Sequence, residues 1–175
     1  MATPNSKIIA FSDIRSLADD LRAQRRTIAL TNGVFDIVHI GHLRYLQQAK
    51  TLADVLIVGI NSDVSTHALK GPLRPYIPEM ERAELLAGFA CVDYTVIFPE
   101  TTAIELLWSC RPNVYVKGGD YAVPAETATP QKILPEAEIA QTLGARIELI
   151  SYVEGHSTSD IIQKIIAAQN IPPTK

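Results

Sequence analysis

The stretch TNGVFDIVHIGH, residues 31–42, decides the fold because it carries the chain from a strand into a helix. An apolar strand at residues 27–30 precedes it, and an amphipathic helix at residues 43–52 follows it. In a parallel sheet this handover lies at the carboxyl edge, where ligands bind. The N-terminus of a helix offers free N–H groups and a positive dipole end to an anion. Together with His39 and His42, these groups predict a phosphate site rather than an apolar one.

Zinc is the alternative ligand for two histidines that stand three residues apart. A zinc site needs more ligands, and the chain offers only His67 and His156 as further histidines. Cys91 and Cys110 lie in apolar settings outside any Cys-x-x-Cys pair, so we interpret both as reduced, buried thiols. We therefore favour phosphate, with both imidazoles donating to oxygens of a nucleoside triphosphate.

Strands and helices alternate along the rest of the chain. A helix is predicted at residues 12–25, and strands at residues 27–30, 54–60, 94–98, 113–116 and 146–150. Alternation with short connections predicts an α/β protein with right-handed crossovers. We expect a single Rossmann-like domain over residues 1–175, with its core at about 27–168. It should contain a five-stranded parallel sheet with helices on both faces, and a long surface loop at residues 122–135.

Composition excludes several classes of protein. The 175 residues are 47% hydrophobic and 20% charged, with a formal net charge of −3. This balance provides a sizeable core and argues against general binding to nucleic acid or to a membrane surface, which depends on basic patches. No apolar run approaches the roughly 20 residues that span a bilayer, and the N-terminus lacks the apolar region of a signal peptide. We expect a cytoplasmic location.

Two further strand ends carry polar residues that should share a cleft with residues 32–42, because parallel strands end at one edge. The sequence KGGD at residues 117–120 could be a plain turn. It could also let a nucleotide lie against Gly119, with Asp120 accepting a ribose hydroxyl or an amine. The Ser-Thr-Ser run at residues 157–159 could be a plain helix cap, or it could hold phosphate with its hydroxyl and N–H groups.

The segment KGPLRPYIP, residues 70–78, contains too many prolines for regular structure. Lys70 and Arg74 could be solvated charges, but two cations on a stiffened loop near a phosphate site suggest a clamp. Arg82 could pair with a neighbouring glutamate or reach the pocket. Asp36 could orient a histidine or meet Mg²⁺.

The pattern GxFDxxHxGH at residues 33–42 resembles the signature of the cytidylyltransferase-like nucleotidyltransferase superfamily. The segment GHSTS at residues 155–159 resembles the second signature of that superfamily. LKG at residues 69–71 and VKGGDY at residues 116–121 are similar to segments of the bacterial D-glycero-D-manno-heptose 1-phosphate adenylyltransferases. This narrower resemblance extends over about residues 10–168.

The resemblance implies transfer of AMP from ATP to a heptose 1-phosphate, giving ADP-heptose and pyrophosphate for lipopolysaccharide or surface polysaccharide. Mg²⁺ is expected with the ATP. The chain is expected to form a homodimer, and a separate protein is expected to supply the heptose kinase. The catalytic residues implied are His39, His42 and Lys70. The nucleotide-binding residues implied are Asn32, Gly33, Phe35, Asp36, Gly41, Lys117, Gly119, Asp120, Ser157, Thr158 and Ser159. Arg74 and Arg82 are the implied substrate-binding residues.

Other functions stay open at this point. The nucleotide could be CTP, as in a glycerol-3-phosphate cytidylyltransferase, although Tyr152 stands where those enzymes usually have an arginine. An adenylyltransferase with another phosphate acceptor, such as phosphopantetheine or nicotinamide mononucleotide, fits the same motifs. A nucleotide-binding regulator without turnover and a structural α/β module are the alternatives outside enzymes.

Overall fold

The computed structural model describes residues 4–118, 121–122, 132–151 and 157–169. The helices are α1 (Ile14–Ala23), α2 (Ile40–Lys50), α3 (Asp63–Lys70), α4 (Glu79–Ala87), α5 (Ile104–Cys110), α6 (Ala137–Thr142) and α7 (Thr158–Gln169). The strands are β1 (Ile8–Ile9), β2 (Ile28–Gly33), β3 (Val55–Asn61), β4 (Tyr94–Phe98), β5 (Val114–Gly118), β6 (Tyr121–Ala122), β7 (Lys132–Ile133) and β8 (Arg146–Ile150). Apart from β1, β6 and β7, these are the elements that the apolar pattern predicts.

Six strands form the main sheet, in the spatial order β1-β4-β3-β2-β5-β8. All neighbours in this sheet run parallel. From β2 the chain moves outward through β3 and β4, and it then returns to the other side of β2 with β5 and β8. The strand order therefore reverses between β2 and β5, which is the switch point where open α/β sheets bind ligands.

The sheet has one strand more than the five expected, because β1 has no detectable pattern in the sequence. Ile8 and Ile9 pair with Thr95 and Val96 of β4. Lys7 precedes them and donates from Nζ to the carbonyl oxygen of Val92 at 2.8 Å. A strand of two residues is too short to show alternation, so β1 is recognised only by its pairing with β4 in the structure.

Apolar side chains pack on both faces of the main sheet. One cluster includes Ile14 of α1, Leu106 of α5 and Ala137 of α6. The other includes Leu46 of α2 and Leu86 of α4. All positions of β3 are buried, as expected for a strand that is covered on both faces. The predicted α/β class with helices on both faces is confirmed.

The segment expected to be one surface loop, residues 122–135, contains part of a second sheet. Strands β6 and β7 pair in parallel through Tyr121 with Lys132 and Ala122 with Ile133. Two-residue strands separated by prolines carry no periodic signal, which is why the sequence indicated only a loop. Residues 123–131 of this segment lie outside the described residues.

Candidate active site

The β2–α2 turn, residues 34–39, joins the carboxyl end of β2 to the start of α2. Phe35 has φ of +50°, in the left-handed region that is costly for a residue with a side chain. Gly33 does not have positive φ. A Cβ on Gly33 would lie 3.2 Å from Cε2 of Phe35. The close approach at Gly33 is therefore made by the buried phenyl ring.

The two histidines lie together at the N-terminus of α2. His39 is the N-cap residue, with extended backbone, and His42 is the third residue of the helix. The N–H of His39 donates to Nδ1 of His42 at 3.3 Å. Their ring centroids are 3.9 Å apart, and Gly41 lies between them in the first turn. The predicted proximity of the pair to a helix N-terminus is thus present in the structure.

His42 is neutral at physiological pH. Its pKa is lowered from 6.5 to about 4. Burial is the larger cause, and electrostatic repulsion from His39 is the smaller one. Because Nδ1 accepts from the His39 N–H, the single ring proton of neutral His42 is carried on Nε2. The edge of Phe35, with its centroid 5.3 Å away, helps to fix the ring. His42 is therefore suited to donate one hydrogen bond to an anion without carrying a charge.

Asp36 holds the proline-rich loop, residues 71–78, against the β2–α2 turn. Its Oδ2 accepts from Nε of Arg74 at 2.5 Å. Its Oδ1 accepts from the N–H groups of Tyr76 at 2.7 Å and Ile77 at 3.0 Å. The carboxylate is only 1% exposed. Both carboxylate oxygens accept hydrogen bonds from the protein, which gives Asp36 a role in holding the loop, and its contact with Mg²⁺ or a histidine stays a prediction.

Arg82 is not positioned to bind substrate as predicted, because its guanidinium is buried and engaged within the protein. The side chain has no exposed surface. It donates to the carbonyl oxygens of Val34 and Ile77 and to Oδ1 of Asp63, at 2.5, 2.9 and 2.7 Å. The predicted glutamate pairing is replaced by pairing with Asp63. Arg82 thus ties the β2–α2 turn to the proline-rich loop and to the first turn of α3.

At the switch point, side chains of β5 reach across to β2. Lys117 donates from Nζ to Oδ1 of Asn32 at 3.0 Å, and the Tyr115 hydroxyl donates to the same oxygen at 2.7 Å. Lys117 is 7% exposed. The predicted closeness of Asn32 and Lys117 is therefore present. Gly119 and Asp120, predicted in the same cleft, lie outside the described residues.

The start of α7 reaches the β2–α2 turn. The hydroxyl of Thr158 donates to the carbonyl oxygen of Ile37 at 3.3 Å. Ser157 and Asp160 cap the helix reciprocally: the Ser157 N–H bonds to Oδ2 of Asp160, and the Asp160 N–H to Oγ of Ser157. The plain-cap interpretation of Ser157 is confirmed, and a phosphate role for Ser157, Thr158 and Ser159 stays a prediction. Residues 152–156 lie outside the described residues.

The two loop cations have different surroundings. Arg74 is fixed by Asp36, and its guanidinium carbon lies 4.7 Å from the centroid of the Tyr76 ring. Lys70 ends α3 with an exposed side chain, and the following Gly71 has φ of +95°. No ion pair to Lys70 occurs within the described part of the chain. Of the two cations in the predicted clamp, Arg74 is therefore fixed by protein contacts, whereas Lys70 is exposed to solvent.

The structure gives no support for a zinc site. Cys91 and Cys110 are both free thiols; Cys110 is buried as predicted, whereas Cys91 is only partly buried, so the prediction that both are buried was wrong for Cys91. Among the described residues, no group of three or more histidine, cysteine, aspartate or glutamate side chains could hold a metal ion.

Sequence reasoning missed Tyr45, Asp63 and Tyr115. Tyr115 had a usable signal, because it stands two residues before Lys117 and so points to the same face of β5. The hydroxyl of Tyr45 bonds to the Thr31 hydroxyl at 2.6 Å and to the carbonyl oxygen of Val116 at 3.1 Å. The contacts of Tyr45 and Asp63 cross between elements, and nothing in their local sequence indicates them.

Fold and site together define a parallel α/β domain with a histidine pair at a helix N-terminus beside its switch point. Residues 30–164 match the cytidylyltransferase-like family, and the chain belongs to that family. This membership confirms the resemblance to nucleotidyltransferases that the motifs indicated.

Individual relatives narrow the comparison. The chain is 43% identical over 162 residues to the bifunctional protein HldE of Syntrophotalea carbinolica, covering 93% of this chain and 31% of that protein. It is 42% identical over 164 residues to the bifunctional protein HldE of Geobacter metallireducens, covering 94% and 32%. The chain thus spans about a third of the length of these relatives.

A solved structure with the same fold is the lipopolysaccharide core biosynthesis protein from Thermoplasma volcanium GSS1. The TM-score is 0.55 at 25% identity, and the likeness covers 75% of this chain and 99% of that one. The similarity extends over nearly all of that shorter structure, so the common part is the α/β domain itself.

Proposed function

We propose that this chain transfers AMP from ATP to a heptose 1-phosphate, releasing pyrophosphate and forming ADP-heptose. The observation that carries the reaction class is the neutral His42 beside His39 at the N-terminus of α2, at the switch point of the sheet. Similarity to the HldE proteins and to a lipopolysaccharide core biosynthesis protein supports the heptose acceptor.

The reaction is an in-line displacement at phosphorus. An oxygen of the acceptor phosphate forms a bond to the α-phosphorus of ATP, and the bond from that phosphorus to the bridging oxygen breaks. Pyrophosphate leaves with the electron pair. Such chemistry depends on positioning and on neutralising charge, and it needs no protein nucleophile.

Residues around the switch point supply those functions. The Nε2–H of His42, together with His39 and the first N–H groups of α2, stabilises charge on the transferred group and on leaving pyrophosphate. Lys70 acts as a phosphate clamp that closes from solvent. Lys117, with Gly119 and Asp120, lines the nucleoside side. Mg²⁺ would neutralise charge on the triphosphate, and Asp36, which already accepts three hydrogen bonds from the protein, is not assigned to it.

A pyrophosphate-release screen tests this proposal. Sugar 1-phosphates, including both anomers of D-glycero-D-manno-heptose 1-phosphate, are each incubated with ATP, CTP, GTP or UTP and Mg²⁺. We expect release only with a heptose 1-phosphate and ATP, and none with unphosphorylated heptose. Preference for CTP would indicate a cytidylyltransferase, and binding without release would indicate a regulator.

The cellular setting is part of the proposal. In the described part of the chain, no helix combines the length and the apolar character needed to cross a membrane. We propose that the chain works in the cytoplasm as a homodimer and that a kinase activity supplies its heptose 1-phosphate. Equilibrium sedimentation of the purified chain tests the dimer.

A further inference from the structure

Arg74 is oriented beside the β2–α2 turn by contacts that use only one of its three nitrogens. Nε donates to Asp36 at 2.5 Å, and the Tyr76 ring lies against the guanidinium with 4.7 Å between ring centroid and Cζ. Within the described residues, the two terminal nitrogens have no acceptor, and the side chain is 20% exposed. The guanidinium is thus held in one plane with its outer edge available.

The neighbouring groups fix where this edge lies. Asp36 also binds the N–H groups of Tyr76 and Ile77, so its carboxylate locks the loop that carries Arg74. Asp36 stands three residues before His39 in the same turn. Through Asp36, the available edge of Arg74 is therefore fixed to the segment that leads into the histidine pair.

Two parallel N–H groups on a planar guanidinium match two oxygens of a phosphate group, and a lysine cannot reproduce this fork. We propose that the terminal nitrogens of Arg74 form the subsite for the phosphate of the acceptor, and that Asp36 is the positioning residue that aims them. This inference rests on the proposed function. Two oxygens of the phosphomonoester bind the fork, and the third is left to form the bond to the α-phosphorus while pyrophosphate departs.

The other two cations of this region are less suited to the subsite. The buried donors of Arg82 are engaged by Val34, Ile77 and Asp63. Lys70 is exposed, and no described contact fixes the direction of its ammonium group. Only Arg74 combines a fixed plane with available donors.

The test is calorimetric titration of the full chain with heptose 1-phosphate in the presence of α,β-methylene-ATP, an analogue that cannot transfer AMP. Arg74→Gln should weaken heptose 1-phosphate binding about tenfold or more, the scale of one charge-assisted bidentate contact. Asp36→Asn should weaken it about threefold to tenfold, because Arg74 loses its ionic partner while the loop keeps an acceptor. Affinity for the ATP analogue should stay within about twofold in both variants.

Asp63→Asn is the matched control. It removes a carboxylate that pairs with Arg82 and has no described contact with Arg74. It should lower thermal stability and leave the affinity for heptose 1-phosphate unchanged. If Asp36→Asn weakens both ligands equally, or if its loss simply parallels that of Asp63→Asn, the positioning role of Asp36 is overturned.

Binding and turnover separate the two proposals. Unchanged heptose 1-phosphate affinity in Arg74→Gln, or no binding to the unmutated chain, overturns the subsite whatever the turnover. A chain that binds through Arg74 but releases no pyrophosphate contradicts the proposed transfer and leaves the subsite standing. In an active enzyme, Arg74→Lys should raise the KM for the sugar phosphate and not that for ATP.

Discussion

The β2–α2 turn is held very differently on its two sides. On the side of the proline-rich loop, a buried carboxylate and a buried guanidinium make six hydrogen bonds, through Asp36 and Arg82. On the side of α7, the described contact is one bond of 3.3 Å from Thr158 to the carbonyl oxygen of Ile37. No residue of α7 is buried.

This difference assigns different functions to the two sides. Buried polar groups that are fully paired rigidify the structure around them, and their loss is costly. The proline-rich loop therefore belongs to the scaffold that presents the histidines, although its sequence is typical of an irregular loop. The start of α7 makes a lighter contact with the turn, and we propose that it responds to a bound triphosphate.

The largest expected effect comes from breaking the rigid side at Arg82. Arg82→Met should lower the free energy of unfolding by about 2–4 kcal/mol, because the part-buried carbonyl oxygens of Val34 and Ile77 lose their donor and Asp63 loses its ion-pair partner. Urea denaturation measures this change. Arg146→Met, which removes an exposed ion pair with Glu148, should change it by about 1 kcal/mol or less. Equal losses in the two variants would contradict the scaffold role of Arg82.

His42 lies where the two sides meet, and its removal should act on the reaction rather than on folding. His42→Ala should lower kcat/KM by about 30-fold or more, equivalent to at least ~2 kcal/mol of transition-state stabilisation. Steady-state pyrophosphate release measures it. His67→Ala, in the exposed last turn of α3, is the control, and its kcat/KM should equal that of the unmutated chain. Near-normal turnover of His42→Ala would exclude the proposed role.

The pKa of His42 predicts how acid weakens the structure. Its folded-state pKa of about 4 lies below the ordinary 6.5, so the unfolded chain takes up the proton first as pH falls. The stability linked to neutral His42 is fully present above pH 6.5, and about 3 kcal/mol of it should be lost by pH 4. Urea denaturation across this range should show a flatter pH dependence for His42→Gln. An unchanged pH dependence in that variant would contradict the lowered pKa.

The smallest effect is expected on the α7 side of the β2–α2 turn. Thr158→Val keeps the shape of the side chain and removes its hydroxyl, so the KM for ATP should rise about threefold with kcat nearly constant. Thr142→Val removes a comparable exposed hydroxyl that bonds to Glu138, and it should leave the KM unchanged. If the two variants have the same KM, Thr158 only joins the helix to the turn.

Sequence predicts local features of this protein well and cross-chain features poorly. The strand ends and the histidine pair follow from apolar patterns and from spacing within a few residues. Asp36 binds partners 38 to 41 positions away, and Arg82 reaches Val34, 48 positions away, and Asp63, 19 positions away. Both residues are site candidates in the sequence because they are charged and lie near a motif. Only the structure shows that their charged groups form hydrogen bonds within the protein.

The edges of the main sheet have a consequence for handling the protein at high concentration. Strand β1 offers only two residues, and β8 carries Arg146 and Glu148 as an ion pair. Short edge strands and charged edge side chains both discourage edge-to-edge pairing between molecules. The described edges of the main sheet therefore oppose its growth into intermolecular aggregates.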